Sequence, residues 1–195
     1  MRILGIDPGI RNTGWGVVDI AGTKLTHVAN GVITPNPKLP DADRLRDIAD
    51  GVSAVIAAHN PAAAAIEEIF VAKSAASALK LGMARGVAMM VCGQHGLSVR
   101  EIAARLVKKT VTGTGTADKR QMQDMVARLL NVTAANHDAA DALAIAIAAG
   151  NDAGHVGGAG VGLSDERGSA TASSNLTKAI EAALARDQQQ DRNDQ

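Results

Sequence analysis

The chain has 195 residues, 46% of them hydrophobic and 21% charged, which suffices for one ordinary globular domain with a single core. Trp15 and Phe70 are its only large aromatic residues, so aliphatic side chains must fill that core. The single cysteine, Cys92, excludes an internal disulfide and a zinc site built from cysteines, as is typical of a reducing cytoplasm. Because no apolar run approaches the roughly 20 residues of a membrane span, we expect a cytoplasmic protein without membrane contact.

The formal net charge is zero, but the charges are unevenly distributed. Residues 1–150 carry a net charge of +3, and residues 151–195 carry −3. Residues 70–130 contain ten basic and three acidic residues, a net charge of +7. This charge favours a phosphate-binding region, although a solvated surface would explain it about equally well.

The first part of the chain predicts a β-meander. Residues 3–6 form an apolar run that is typical of a buried strand ending at Asp7, and Pro8-Gly9 is typical of a turn. Further strands are predicted around residues 13–20 and 24–34, joined by a glycine-containing turn.

Helices and strands alternate in the rest of the first 150 residues. Apolar residues recur with a helical period from Asp43 to His59, and Asn60-Pro61 ends that helix. The remaining predicted elements are a strand over 62–67, a helix over 74–93, a strand near 97–102, an amphipathic helix over 122–130 and a buried helix over 138–149. By propensity alone the alanines of the 62–67 segment would favour a helix, so its assignment as a strand depends on the resemblance described below.

The chain changes character after residue 150. Residues 150–174 contain seven glycines and almost no large apolar residues, which predicts a flexible linker. Residues 176–186 have the pattern of a short amphipathic helix. We therefore expect a domain over 1–150 and a Gly/Ser-rich flexible tail over 151–195. The order of elements in the domain predicts an α/β fold with a mixed sheet covered by helices on both faces.

Four carboxylates stand out for their settings. Asp7 and Glu67 each end a predicted buried strand, and Asp138 and Asp141 lie three residues apart on one face of an apolar helix. Charges at the edge of a core are costly unless they are paired or bind a metal. Two Mg²⁺ ions held by carboxylates can activate a water for attack on a phosphodiester. Each acid alone has an ordinary structural explanation, so the hypothesis depends on their occurring together.

Four sequence blocks occur in order and with compatible spacing across residues 1–150. They are Gly5-Ile6-Asp7-Pro8-Gly9 with Thr13-Gly14-Trp15-Gly16-Val17, Ala65-Ile66-Glu67-Glu68-Ile69-Phe70 with Ala72-Lys73, Ser77-Ala78-Leu79-Lys80-Leu81-Gly82 with Ala84-Arg85-Gly86-Val87-Ala88, and Asp138-Ala139-Ala140-Asp141-Ala142-Leu143-Ala144. Together they resemble the RuvC family of Holliday-junction resolvases. The resemblance implies a ribonuclease H-like fold with a mixed five-stranded sheet, and it does not cover the tail.

The resemblance also implies roles for individual residues. The metal-binding and catalytic acids of the family fall on Asp7, Glu67, Asp138 and Asp141, which would hold two Mg²⁺ ions per subunit, with Mn²⁺ as a substitute. The candidate DNA-binding residues are Phe70, Lys73, Lys80, Arg85, Lys108, Lys109, Lys119 and Arg120. Phe70 would stack on an unpaired base at the junction centre. On an extended strand Glu68 would point away from Glu67, so we expect it to be peripheral.

Two further features leave alternatives open. His137 could assist metal binding or water activation, or it could be a helix-start histidine hydrogen-bonded to the backbone. Lys108-Lys109 and the threonines and glycines over 110–116 predict a flexible basic segment that contacts phosphates without reading sequence. A solvated loop would explain the lysines, but it explains the glycines and threonines beside them less well.

The implied activity is that of a magnesium-dependent crossover junction endodeoxyribonuclease, which resolves four-way DNA by symmetric paired nicks in recombination and repair. The implied partners are junction DNA, the branch-migration proteins RuvA and RuvB, and a second copy of the chain, because paired nicks require two sites related by two-fold symmetry. One predicted helix has small residues at close spacing, which would let another helix approach closely or would pack onto the chain's own sheet. Its residues are Gly82, Ala84, Gly86 and Ala88, with Met89 and Met90. The alternative is a ribonuclease H-like nuclease of ribosomal RNA maturation, which shares the acidic opening.

Overall fold

The computed structural model describes residues 1–68 and 75–156. Within these ranges the strands are β1 (Arg2–Asp7), β2 (Thr13–Ala21), β3 (Lys24–Ile33), β4 (Ala63–Glu67) and β5 (Val99–Ile102). The helices are α1 (Asp41–His59), α2 (Ala75–Gln94), α3 (Ala104–Thr112), α4 (Lys119–Leu130) and α5 (His137–Val156).

The five strands form one mixed sheet in the order β3-β2-β1-β4-β5. Strands β1, β2 and β3 pair antiparallel, as the predicted meander requires, and β4 and β5 continue the sheet parallel to β1. Ile6 of β1 is in register with Ile66 of β4, so Asp7 and Glu67 leave the sheet at the same edge. The predicted α/β fold with a five-stranded mixed sheet is confirmed.

Alternating side chains of the central strands face two separate apolar layers. Ile3 and Ala65 pack into a cluster with α3, α4 and α5, whereas Leu4, Ile6 and Ile66 pack into a cluster with α1 and α2. Both faces of the sheet are therefore covered by helices. By the same alternation, Asp7 and Glu67 point toward the face that carries α5.

Two glycines let α5 lie directly on the sheet. A Cβ atom on Gly5 of β1 would come within 2.0 Å of the backbone oxygen of Ala142. A Cβ atom on Gly14 of β2 would come within 2.1 Å of the backbone oxygen of Asp138. Real Cβ atoms are not found at such distances, so any larger residue here would push the start of α5 off the sheet.

The structure differs from the sequence-based expectation in two places. The predicted flexible basic segment begins instead with α3, because Val107 and Val111 lie one helical turn apart and are both buried. That helix ends at Gly113, which adopts a left-handed conformation with φ of 80°. Helix α5 continues to Val156, through residues that we had assigned to the beginning of the flexible tail.

Helix α2 is more apolar than expected. Within the described ranges it is the one helix that is long and apolar enough to span a membrane, although length and composition alone decide that test. We expected no apolar segment of this length, and that expectation was wrong. Lys80 and Arg85 lie within the segment, but the segment remains apolar on average. One side of the helix, including Ala84 and Ala88, packs into the core beneath the sheet.

Candidate active site

Two of the four acids are placed by the ends of neighbouring strands. Asp7 is the last residue of β1 and lies in register with Gly14 of β2. Glu67 is the last residue of β4 and lies in register with Ile102 of β5. Both side chains are half-buried beside α5. The next acid, Glu68, is exposed, as its expected peripheral role requires.

The other two acids lie in the first turns of α5. The side-chain oxygen of Asn136 accepts a hydrogen bond of 2.9 Å from the backbone N–H of Ala139, so Asn136 caps the helix. The Asn136 side-chain nitrogen lies 3.4 Å from Asp138 Oδ2, and His137 Nδ1 lies 2.9 Å from Asp138 Oδ1. Asp141 follows one turn later, on the same side of the helix.

The acids interact electrostatically across these elements. Burial, with the negative charges of Asp141, Glu67 and Asp138, raises the pKa of Asp7 from 3.8 to about 7. Burial and the charge of Asp141 also raise the pKa of Glu67. An apolar setting and neighbouring like charges each disfavour the ionised carboxylate. The predicted set of four acids therefore converges on one region, at the edge of the sheet beneath α5.

Two lysines partly neutralise this negative charge. Lys119, the first residue of α4, lies 3.2 Å from Asp141 Oδ2. Its positive charge offsets part of the rise in the pKa of Asp7. Lys108, on α3, offsets part of the rise in the pKa of Glu67. Both lysines line a cavity of about 240 Å³ together with Glu67 and Asp141. A capping box between Asp118 and Gln121 fixes the start of α4 and thereby the position of Lys119.

The donor set suits a hard divalent cation, since all four groups are carboxylates. Burial and neighbouring negative charges raise the pKa of Asp7 and Glu67, and a divalent cation beside them would favour their ionised forms. In the described ranges, no three Asp, Glu, His or Cys side chains are close enough to form a metal-binding group unaided. The residues therefore fit a metal in chemistry and location, without forming a closed cage.

The structure places the remaining predicted site residues as follows. Arg85 is largely covered: it donates to the backbone oxygen of Glu67 at 3.3 Å and forms an ion pair with Glu101. Lys80 lies 3.4 Å from Asp41, and Lys109 and Arg120 are exposed. The His137 side chain is 55% exposed. Phe70 and Lys73 lie outside the described residues.

Sequence reasoning missed the residues that hold the turn after Asp7. Thr13 is fully buried, and its hydroxyl donates to the backbone oxygen of Gly9 at 2.9 Å. Arg44 of α1 is 7% exposed and donates to the backbone oxygen of Ile10 at 2.6 Å. An arginine on the predicted core side of an amphipathic helix was the signal that could have identified this contact.

A five-stranded mixed sheet with acids at the ends of neighbouring strands and on an adjoining helix defines a nuclease of the ribonuclease H-like class. The family model described as "Crossover junction endodeoxyribonuclease RuvC" matches residues 3–149. The chain belongs to the RuvC family of crossover junction endodeoxyribonucleases.

Individual relatives agree with this assignment. The RuvC of Rhodopseudomonas palustris strain TIE-1 is 58% identical over 148 residues, which are 75% of this chain and 85% of that protein. The RuvC of Caulobacter vibrioides is 52% identical over 151 residues, 77% of this chain and 89% of that protein. The structure of Thermus thermophilus RuvC in complex with Holliday junction substrate matches with a TM-score of 0.72 and 32% identity, covering 76% of this chain and 92% of that chain.

The fold extends to more distant proteins. The yeast mitochondrial Holliday junction resolvase matches with a TM-score of 0.52 at 12% identity, covering 75% of this chain and 77% of that chain. This likeness concerns the fold alone.

Proposed function

We propose that this protein resolves four-way DNA junctions by symmetric paired nicks in homologous recombination and DNA repair. The observation that carries the proposal is the convergence of Asp7, Glu67, Asp138 and Asp141, whose mutual repulsion contributes to the raised pKa of Asp7. Relatives at more than 50% identity are crossover junction endodeoxyribonucleases, which favours DNA cleavage over the alternative of ribosomal RNA maturation. As an enzyme of DNA it would act in the cytoplasm or nucleoid.

The RuvC family is a family of metal-dependent nucleases. We propose that Asp7, Glu67, Asp138 and Asp141 hold two Mg²⁺ ions, for which Mn²⁺ can substitute. When bound, such ions supply Lewis acidity and lower the pKa of water for attack on the phosphodiester. The backbone elements fix where these carboxylates begin, because Asp7 and Glu67 belong to the sheet and the other two to a buried helix. His137 contributes by orienting the Asp138 carboxylate, which it contacts at 2.9 Å.

Lys108 and Lys119 would serve the reaction from the cavity that they line together with Glu67 and Asp141. Their positions beside Glu67 and Asp141 are suited to stabilising negative charge on a phosphate brought to the acids. Lys109 and Arg120, which are exposed next to them, would contact more distant phosphates. Arg85 would act through Glu67, whose backbone oxygen it holds. Phe70 and Lys73 remain predicted contacts at the junction.

A second copy of the chain would supply the second nick. Helix α2 carries an exposed stripe that suits this contact. Leu79 and Met90 are 67% and 52% exposed, and a Cβ atom on Gly82, Gly86 or Gly93 would meet nothing within 4 Å. These five residues recur at intervals of three and four, so they share one side of the helix. We propose that this stripe packs against its copy in a homodimer, and that RuvA and RuvB are further partners.

The experiment that tests the function uses a labelled synthetic four-way junction and a linear duplex of the same sequence, each with Mg²⁺ or with EDTA. We expect paired nicks at symmetric positions on the junction, and none on the duplex or in EDTA. Asp7→Asn should abolish nicking and retain junction binding, because it removes a metal ligand without changing the fold. Asp124→Asn, at an exposed acid of α4, is the matched control and should cleave normally. An intact junction under every metal and sequence tested would contradict the proposal.

A further inference from the structure

A second cavity, here called the groove, lies beside the acids and is separate from the cavity lined by Lys108 and Lys119. It has a volume of about 460 Å³ and lies between the turn that joins β1 to β2 and the first turns of α2. Its polar lining residues are Arg11, Asn12, Ser77, Lys80 and Asp138. Asp138 lines the groove, and Asp141, one turn later on α5, lines the cavity of Lys108 and Lys119. The groove and the cavity therefore lie next to each other along α5.

The groove carries two positive charges next to a predicted catalytic acid. Arg11 is exposed, and in the described ranges it forms no ion pair. Lys80 is 49% exposed and lies 3.4 Å from Asp41, a surface ion pair that contributes little and leaves the ammonium accessible. A guanidinium and an ammonium in a concave polar surface suit a phosphate group.

The turn that presents Arg11 is held in place from below. The carbonyl group of its neighbour Ile10 accepts the 2.6 Å hydrogen bond from the buried Arg44, and Thr13 holds Gly9. The Asp41 carboxylate lies 3.2 Å from Arg44, which holds the turn, and 3.4 Å from Lys80, which lines the groove from α2. Burying a guanidinium is costly, and the contacts of Arg44 with Ile10 and Asp41 offset part of that cost. The turn that carries Arg11 is thus held by contacts within the chain itself.

We propose that this groove binds a backbone phosphate of the DNA strand that is cut, with Arg11 as the direct contact and Lys80 beside it. The inference rests on the proposed function and extends it. The cut strand would be held on two sides of the acids, by Lys108 and Lys119 in the cavity and by Arg11 and Lys80 in the groove. Holding a strand at two phosphates fixes the orientation of the bond between them relative to the catalytic groups.

The test measures binding of the full chain to a labelled four-way junction in EDTA across a series of KCl concentrations. We expect Arg11→Gln to weaken binding about tenfold and to reduce the slope of log affinity against log salt by about 1, as loss of one phosphate contact requires. Arg11→Lys should restore most of the slope, because it keeps the charge. Arg46→Gln is the matched control, since Arg46 is an exposed arginine of α1 that pairs with Asp43 at 3.0 Å.

The outcomes separate this inference from the proposed function. An Arg11→Gln protein with the affinity and salt slope of the wild type, in a preparation whose wild type nicks the junction, would overturn the groove assignment alone. An equal loss in Arg46→Gln would overturn it as well, because the effect would then be one of net charge. A wild type that does not nick the junction would overturn the proposed function instead.

Discussion

The side-chain oxygen of Asn30, on the edge strand β3, accepts a hydrogen bond of 2.8 Å from the backbone N–H of Ala135, just before α5. The side-chain nitrogen of Asn30 in turn donates to His27 Nε2 at 2.8 Å, which fixes the orientation of the amide. Ala135 precedes Asn136, the residue that caps α5 and contacts Asp138. One asparagine therefore connects the edge strand of the sheet to the segment that positions Asp138, a proposed metal ligand.

Asn30→Ala is expected to destabilise the protein by about 1 kcal/mol, the usual contribution of one such hydrogen bond. It should also lower the rate of nicking, because the start of α5 loses its attachment to β3. Urea denaturation measures the first effect and single-turnover cleavage the second. Thr26→Ala, at an exposed position of the same strand, should leave both unchanged. An Asn30→Ala protein with wild-type cleavage would show that the cap alone positions Asp138.

Gly14→Ala is expected to abolish nicking and to lower the free energy of unfolding by several kcal/mol. Its Cβ atom would lie 2.1 Å from the backbone oxygen of Asp138, so α5 would have to move away from Asp7. Thermal denaturation and junction cleavage check the prediction. Ala57→Ser adds one heavy atom at an exposed position of α1 and serves as the control, with no loss of stability expected. Normal cleavage by Gly14→Ala would mean that α5 tolerates a shift.

The raised pKa of Asp7 predicts a pH-dependent stability of the metal-free protein. The unfolded carboxyl titrates near 3.8 and the folded one near 7, so between these values the native state binds more protons than the unfolded state. Stability in EDTA should therefore fall as pH rises from 4 to 8, by on the order of 2 to 4 kcal/mol.

Asp7→Asn removes this titration and should flatten the profile, which makes it more stable than the wild type at pH 8 in EDTA. Chemical denaturation at a series of pH values measures the difference. Added Mg²⁺ should restore the stability of the wild type more at pH 8 than at pH 5, because the cation competes with the proton. A wild-type profile that rises from pH 5 to 8 would contradict the assignment.

Lys119→Met is expected to reduce the rate of the nicking step by about 10² to 10³, the usual effect of removing one charge-stabilising group. Lys119 lies 3.2 Å from Asp141 and faces the acids, whereas its neighbour Arg120 is exposed and does not line the cavity. Arg120→Met should therefore weaken junction binding and leave the single-turnover rate at saturation near that of the wild type. Equal rate effects in the two variants would contradict a specific role for Lys119.

Gly86→Arg is expected to convert a dimer into a monomer. Gly86 is exposed, and a Cβ atom added to it would meet no other atom of the same chain within 4 Å. The fold of the single chain should therefore persist. Sedimentation measures the mass, and a junction assay should show single nicks in place of paired ones. Asp50→Arg, at an exposed position of α1, should remain dimeric. A wild-type monomer at micromolar concentration would refute the proposed stripe.

The sequence predicted the elements whose local pattern agrees with their burial. A continuous apolar run indicated strand β1, and a helical period of apolar residues indicated helix α1. Four sequence blocks indicated the acids before any geometry was known. Helix α3 was missed because lysines and threonines obscure its two buried valines, and only packing against α5 reveals them. The Arg44 contact with Ile10 was missed for a related reason, since two residues 34 positions apart meet only in three dimensions.

The docking of α5 onto β1 has a consequence for when activity can arise. The first strand carries Asp7, and the last described helix carries Asp138 and Asp141. During synthesis on the ribosome, a chain that has not yet released α5 cannot assemble the four acids, however well its earlier strands have paired. The same holds for a truncated product. On the proposed function, such a chain would lack two of the four metal ligands and would not cleave DNA.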